Sequence, residues 1–410
     1  MACGNAPVGP LAGREELRRS TSWATRVATT AAGAALVAWA VLADPRWAER
    51  HVLPSYCATH PAEWVVARAG RWLVGALGVV VAVKLAPALE RRAGRSSLRP
   101  QAGSLVGIAL AVVASLGVAE VSMRRLHQRL PAGEGAPLHG RGAPMARADA
   151  RLGWSWFPGR TTWIRMGDGL VAYAIDAEGD RAASEHDLPD HALPTVLFTG
   201  ESIAFGYGLA YEETIPFLVG RDLGVQTVNV AVIGYGSDQA HLRALDALAR
   251  YRHPLAVVTL FITDQIDRNV DAWRPRLALG PGGTLQLAAP STGLRIAKLL
   301  QELPYRGDER LRVTAAVLRA TAEAARARGA LPLFVVTNHG AACLPEGREE
   351  AWVVDELFVR QRLPFLRVEL GPEDRLPLLF ERHPSARGAH KIAAAVERAL
   401  SEQLGGRPSR

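Results

Sequence analysis

The chain is 410 residues long, with 49% hydrophobic and 21% charged residues. That excludes a wholly disordered polypeptide and exceeds one ordinary domain. A formal net charge of +8, carried by arginine with only three lysines (Lys84, Lys298 and Lys391), first suggests nucleic acid or an anionic membrane surface. Residues 1–130, however, hold 16 basic and 7 acidic groups (+9), whereas the rest hold 32 and 33 (−1). The excess charge belongs to the first third, and nothing indicates a nucleic-acid partner.

That first third also holds three apolar stretches, Val27 to Ala43, Trp72 to Leu89 and Ser104 to Val121. Each is about 17 to 18 residues, the lower end of what crosses a hydrocarbon core about 30 Å thick. Lys84 and Pro87 lie near the end of the second, where a lysine can snorkel towards the headgroups. Arg14, Arg18, Arg19 and Arg26 precede the first stretch, and Arg91, Arg92, Arg95 and Arg99 separate the second from the third. The positive-inside rule puts both arginine groups in the cytoplasm. Residues 1–130 are therefore expected to be a three-span transmembrane anchor in the cytoplasmic membrane, with everything after residue 122 outside. Arg124, Arg125 and Arg129 weigh mildly the other way. Cys3 would be cytoplasmic; Cys57 and Cys343 would lie outside, where a disulfide is chemically possible. No metal-ligand spacing is found.

Residues 131–150 (PAGEGAPLHGRGAPMARADA) read as a linker, being rich in Gly, Pro and Ala. Beyond it, residues 151–410 alternate strand and helix patterns. The predicted strands are Thr195 to Thr199, Gln226 to Val230, Leu255 to Phe261, Leu333 to Val336 and Phe365 to Val368. The predicted helices are Thr214 to Leu223, Asp238 to Tyr251, Leu311 to Arg328, Glu349 to Arg362 and Gly388 to Leu404. Such alternation predicts an α/β domain with a parallel sheet covered on both faces. In that architecture ligands bind at the carboxyl ends of the strands.

The turns at those ends exclude several chemistries. A dinucleotide fingerprint G-x-G-x-x-G fails at Gln239 after Gly234 and Gly236, and at Tyr211 after Gly206 and Gly208. No G-x-x-x-x-G-K-[ST] phosphate loop exists, and G-x-S-x-G fails because Ala204 stands two residues after Ser202. What remains is a serine after the first strand and a histidine before the last helix. A serine hydroxyl becomes a nucleophile when a base takes its proton and a third group orients that base. His383 can be the base, and Glu381, two residues earlier, can hold the imidazole; the serine can equally be a helix cap. His339 after the fourth strand either lines the same edge or is a surface or loop-bonded histidine, and His390 falls on the last helix as a structural residue. Asp264 and Asp267 can cap the following turn and are given no chemistry. Trp154, Trp156 and Trp163 either form a platform for sugar rings or pack over the sheet.

Taken in order, these blocks resemble the SGNH (GDSL-type) hydrolase family. The first is Gly200-Glu201-Ser202, where the family has Gly-Asp-Ser. The second runs from Val228-Asn229 to Gly234-Tyr235-Gly236-Ser237-Asp238-Gln239. The last is Glu381-Arg382-His383-Pro384 through Gly388 to Ala393. The approach segments Leu152-Gly153-Trp154 and Ile175-Asp176-Ala177-Glu178-Gly179-Asp180-Arg181 are similar too. The resemblance covers roughly residues 150 to 404. It implies a flavodoxin-like three-layer sandwich with a parallel sheet, Ser202 as nucleophile, His383 as base and Glu381 as its orienting acid. It further implies an oxyanion hole from the Ser202 amide, Gly234 (or Gly236) and the third-block position, where Thr263 replaces the family's asparagine. The expected function is a membrane-anchored serine esterase, without cofactor, acting outside the membrane on ester-linked acyl groups of polysaccharide or lipid. The alternatives are an O-acyltransferase of surface glycan, or a weak or non-enzymatic member that binds glycan or an assembly partner.

Overall fold

A computed structural model describes residues 10–42, 61–95, 140–141, 145–166, 169–295, 308–338, 347–376 and 383–405, together with residues 117, 120, 121 and 297. The chain divides into two compact units, residues 1–125 with 293–306, and residues 126–292 with 307–410.

In the first unit, helix α1 (Pro10–Leu42) packs along α2 (Pro61–Val80), which continues through a π-helical turn, Val81–Leu85, into α3 (Ala86–Arg95). Pro87 explains the wide turn: it has no N–H for the carbonyl four residues earlier, and its ring would strike that carbonyl. The apolar windows Ser22–Leu42 (21 residues) and Ala69–Arg92 (24 residues) are long and apolar enough to cross a membrane. At 1.5 Å per residue they extend roughly 32 and 36 Å. Their large side chains mostly face outwards, Leu73 being 70% and Val83 60% exposed. The two helices touch through small residues. A Cβ at Gly33 would lie 2.6 Å from the Gly78 carbonyl oxygen, and one at Gly78 the same distance from that of Gly33. With no side chain between them, the two backbones pack directly against each other at this point. At one end the Arg26 guanidinium donates to Glu90 at 2.9 Å. The third expected span, Ser104 to Val121, lies outside the described residues except for 117, 120 and 121, which are helical. Cys3, Cys57 and Cys343 also lie outside them.

Among the described residues, the second unit is built on a nine-stranded sheet. Its strands are β1 (Gly140–Arg141), β4 (Arg160–Met166), β5 (Gly169–Ile175), β6 (Arg181–Ala182), β7 (Pro194–Thr199), β8 (Gln226–Asn229), β9 (His253–Phe261), β12 (Leu331–Thr337) and β13 (Phe365–Val368). Two small antiparallel pairs stand apart: β2 (Ala146–Asp149) with β3 (Gly153–Trp156), and β10 (Arg276–Leu279) with β11 (Leu285–Ala288). Strands β8-β7-β9-β12-β13 are parallel throughout. Numbered along the chain these five have the order 2-1-3-4-5, the flavodoxin-like order. All five were predicted within a residue or two. The sheet is nonetheless mixed, because β6, β5, β4 and β1 extend it antiparallel from β8. The stretch 131–150 is likewise not all linker, since β1 and β2 lie within it.

The helices of this unit are α4 (Ser202–Phe205), α5 (Ile215–Leu223), α6 (Ser237–Arg250), α7 (Asp264–Arg268), α8 (Asp308–Ala327), α9 (Gly347–Val354, ending in a π-turn, Asp355–Val359) and α10 (Ala386–Gly405). The two-residue period of a strand sends alternate side chains to opposite faces. Val196 and Phe198 pack with α5 and α10, through Ile215, Leu218, Ile392 and Val396. Leu197, between them, packs with α6 and α8 through Ala244, Leu248 and Ala325. Phe261, Phe334 and Val336 meet α8 and the π-turn through Leu318 and Phe358. On α10, Ala389, Ile392, Ala393, Val396 and Leu400 follow the 3.6-residue period of a one-faced helix. The result is the expected three-layer α/β sandwich. Removing a fully buried side chain such as Phe198 would cost about 3 to 5 kcal/mol.

Candidate active site

The switch point of this sheet lies where β7 separates β8 from β9, and Ser202 follows β7 directly. Gly200 makes the turn possible. Its φ is +140°, and a Cβ there would sit 2.8 Å from the Leu260 carbonyl on β9. The Glu201 side chain caps the short α4, accepting from the Ile203 amide at 3.1 Å. Ser202 itself is buried within this turn.

His383 arrives from the segment before α10. Its carbonyl accepts from the Leu376 amide at 2.9 Å, and Pro384 bridges to Arg375. The Tyr207 ring packs against the imidazole with centroids 4.6 Å apart. These restraints bring Nε2 of His383 to 2.6 Å from Oγ of Ser202. Glu381 lies outside the described residues.

The second block is tied to the first by backbone and side chain. The Val230 amide donates to Phe198 O at 2.9 Å, and Nδ2 of Asn229 donates to Ala204 O at 2.8 Å. Gly234 follows with φ +81°, and Trp154 stands against it. Nε1 of Trp154 donates to Ile233 O at 3.3 Å, Nε1 of Trp156 to Ala231 O at 3.4 Å, and the Tyr235 hydroxyl to Trp154 O at 2.6 Å. Trp154 and Trp156 therefore pack and brace, while Trp163 on β4 is 45% exposed. Gln239 donates to Leu152 O at 2.5 Å and accepts from the Gly236 amide at 3.0 Å. Asp238 is fully buried on Arg274, which reaches both carboxylate oxygens at 2.8 and 2.9 Å.

Thr263 follows the carboxyl end of β9 and starts α7, its carbonyl accepting from the Ile266 amide at 3.0 Å. Asn269 serves the frame: it accepts from the Asp238 amide at 3.1 Å and donates to Thr314 at 2.8 Å. Asp267 pairs with Arg310 at 2.9 Å. His390 is exposed on α10, and His339 lies outside the described residues.

Two residues given no role by the sequence stand close to the serine. The Ser202 hydroxyl is hydrogen-bonded to Oε2 of Glu201 as well as to His383. Arg268 places Nη1 3.6 Å from that same oxygen and donates to Tyr235 O at 3.1 Å. Burial, the largest influence on Glu201, would raise its pKa. The charges of Arg268 and His383, with bonds from Ser202 and Ile203, outweigh it and hold the carboxyl below its ordinary value. The four-residue spacing of Asp264 and Arg268 was the only hint in the sequence of a charge set here.

No protein-family model matches the chain, and no curated protein matches it significantly. Among solved structures it is similar to a protein of the G-D-S-L lipolytic family from Desulfitobacterium hafniense, at 15% identity and TM-score 0.31, over 50% of this chain and 98% of that one. It is also similar to a psychrotrophic esterase from Pseudoalteromonas, at 14% identity and TM-score 0.30, over 52% and 99%. A third is an acetyl xylan esterase from Butyrivibrio proteoclasticus, at 13% identity and TM-score 0.33, over 54% and 66%. The chemistry is therefore read from this chain's own residues.

Proposed function

We propose that the chain is a membrane-anchored serine esterase of the SGNH hydrolase type, with its α/β unit outside the cytoplasmic membrane. The observation that carries this reading is the 2.6 Å contact between Ser202 Oγ and His383 Nε2 at the carboxyl edge of the sheet. In the proposed reaction Oγ attacks the ester carbonyl and its proton passes to Nε2. The tetrahedral intermediate collapses, the C–O bond to the alcohol breaks, and the alcohol leaves with that proton. Water then repeats the sequence on the acyl-serine, releasing the carboxylic acid and restoring the hydroxyl. Glu381 is assigned the orienting role. The amides of Ser202 and Gly234, with the Thr263 hydroxyl, are assigned the oxyanion, where each preorganised donor is worth about 3 kcal/mol.

The anchor is proposed to be the three-span arrangement of residues 1–130, N-terminus inside. Two helices of sufficient length and outward apolar faces support it, together with the arginines that flank them. An active site held outside the membrane points to O-acylated polysaccharide or lipid as substrate, and a sugar hydroxyl in place of water would make the same site a transferase. Thr263 favours a second reading, a catalytically weak binder of glycan or an assembly partner, because a hydroxyl reaches less far than an amide.

The test is hydrolysis of a short chromogenic acyl ester by the full chain in detergent. Wild type should turn over, and Ser202→Ala should lose about a thousandfold or more. Equal rates for the two, with no labelling of Ser202 by a fluorophosphonate, would remove the esterase reading. A reporter fused after residue 135 should be active outside the cell; activity in the cytoplasm would remove the proposed topology.

A further inference from the structure

The Ser202 hydroxyl has one proton and two acceptors. His383 Nε2 lies 2.6 Å away on one side, and Oε2 of Glu201 is hydrogen-bonded on the other. Glu201 is 1% exposed, an environment that ordinarily neutralises a carboxyl group. Here its ordinary value is lowered instead, and the groups responsible are all in view. Arg268 on α7 approaches Oε2 at 3.6 Å, Ile203 and Ser202 of α4 donate to the carboxylate, and His383 faces it across the serine. Arg268 is itself fixed, by Tyr235 O at 3.1 Å and by Asp264, whose Oδ2 lies 4.0 Å from Nη2. A buried carboxylate has thus been kept charged beside the reacting oxygen by a guanidinium that is only 15% exposed.

We propose that Glu201 is a further catalytic residue of this site and that Arg268 is its positioning residue. The inference rests on the esterase reading above. When imidazole is neutral, the serine proton points to Nε2 and the nucleophile is ready. When imidazole is protonated, Nε2–H donates to Oγ and the serine proton turns to Glu201. The carboxylate stabilises the imidazolium that forms once Ser202 has given up its proton, because the attraction between the two charges is mutual. Arg268 keeps Glu201 ionised in a buried place and offsets its repulsion of the developing oxyanion. No proton leaves the Ser202–His383 exchange for Glu201 during turnover; its part is electrostatic.

The experiment is a pH profile of kcat/KM for the full chain in detergent, on the short chromogenic ester, for wild type, Glu201→Gln, Glu201→Asp, Arg268→Gln and the double variant Glu201→Gln/Arg268→Gln. Gln keeps the shape and removes the charge. It should lower kcat about ten- to a hundredfold with KM within about twofold. It should also move the acid limb to lower pH, because an imidazolium without its carboxylate gives up its proton more readily. Glu201→Asp keeps the charge and should keep the wild-type acid limb. Arg268→Gln should lower kcat in the same sense as Glu201→Gln with KM within about twofold, and the double variant should be no worse than the poorer single one. If Glu201→Gln turns over within about twofold of wild type with an unmoved acid limb, the proposal is overturned while the esterase reading stands. If wild type equals Ser202→Ala, both fall. Should Glu201→Gln fail to fold, the proposal stands if Arg268→Gln lowers kcat about tenfold or more while Glu201→Asp keeps the wild-type acid limb. It is overturned if Arg268→Gln turns over within about twofold of wild type.

Discussion

Oγ of Ser202 and Nε2 of His383 lie 2.6 Å apart although 181 positions separate the two residues in sequence. The contact depends on two frames at once, the strand-to-turn geometry at Gly200 and the strapped segment before α10 at Leu376 and Pro384. Replacing the imidazole should therefore remove chemistry without removing structure. His383→Ala is expected to lower kcat by about a thousandfold or more in the chromogenic assay. Its melting temperature should stay within a few degrees of wild type, because the histidine is only half-buried.

Asn229 is the side chain that joins the serine turn to the loop leading to Gly234, donating to Ala204 O at 2.8 Å and accepting from the Ala231 amide at 3.2 Å. It is 2% exposed, so Asn229→Ala leaves two buried backbone groups unpaired. The expected loss is about 1 to 3 kcal/mol in urea unfolding. Activity should fall as well, since the turn that holds Ser202 loses its lateral tie.

Asp176 is buried in a turn with Asp180 and Glu178 nearby. Burial first, then the neighbouring Asp180 charge, pushes its pKa up to about 6. The folded state holds this proton more tightly than the unfolded chain does, so stability is lost as pH rises from about 4 through about 6. Asp176→Asn keeps an oxygen to accept from the amides of Glu178 and Asp180, now contributed by Oδ1. The variant should match wild type below about pH 4 and be more stable by about 2 to 3 kcal/mol at pH 7. Denaturant midpoints at the two pH values check this.

The contact of α1 with α2 should depend on Gly33 in particular. A side chain there would meet the Gly78 carbonyl and the backbone of Ala82, whereas one at Gly70 would meet open space. In detergent, Gly33→Leu is expected to raise amide hydrogen exchange across residues 29–40 by about tenfold or more. Gly70→Leu should leave it unchanged.

The parallel core was legible because its signals are local. Val196, Leu197 and Phe198 form a continuous apolar run, which only a strand buried on both faces needs, and α10 repeats its apolar residues at helical spacing. The antiparallel extension was not. Strand β4 carries Arg160, Thr161 and Thr162 beside Trp163 and Ile164, and β6 has two residues, so neither presents a strand pattern apart from its partners. The serine and histidine could be found because turns after strands and before helices are where this architecture puts ligands. Glu201 and Arg268 could not, since each is an ordinary charged residue until the fold buries both within 3.6 Å of one another. Asn269 likewise gains its place only from the fold, where it fastens α6 and α8 to the site's frame.

Trp154, Trp156 and Leu152 hold the loop of residues 231–239 by four hydrogen bonds. A truncation beginning near residue 184 would retain every residue given a chemical role and discard that scaffold. The smallest portable piece of the α/β unit therefore reaches back at least to Met145, whose carbonyl accepts from the Phe157 amide at 2.8 Å. A graft of the α/β unit should respect that border, because a splice at the first strand of the parallel core would also strip Trp156, Ile164, Tyr173 and Ile175 from the hydrophobic core.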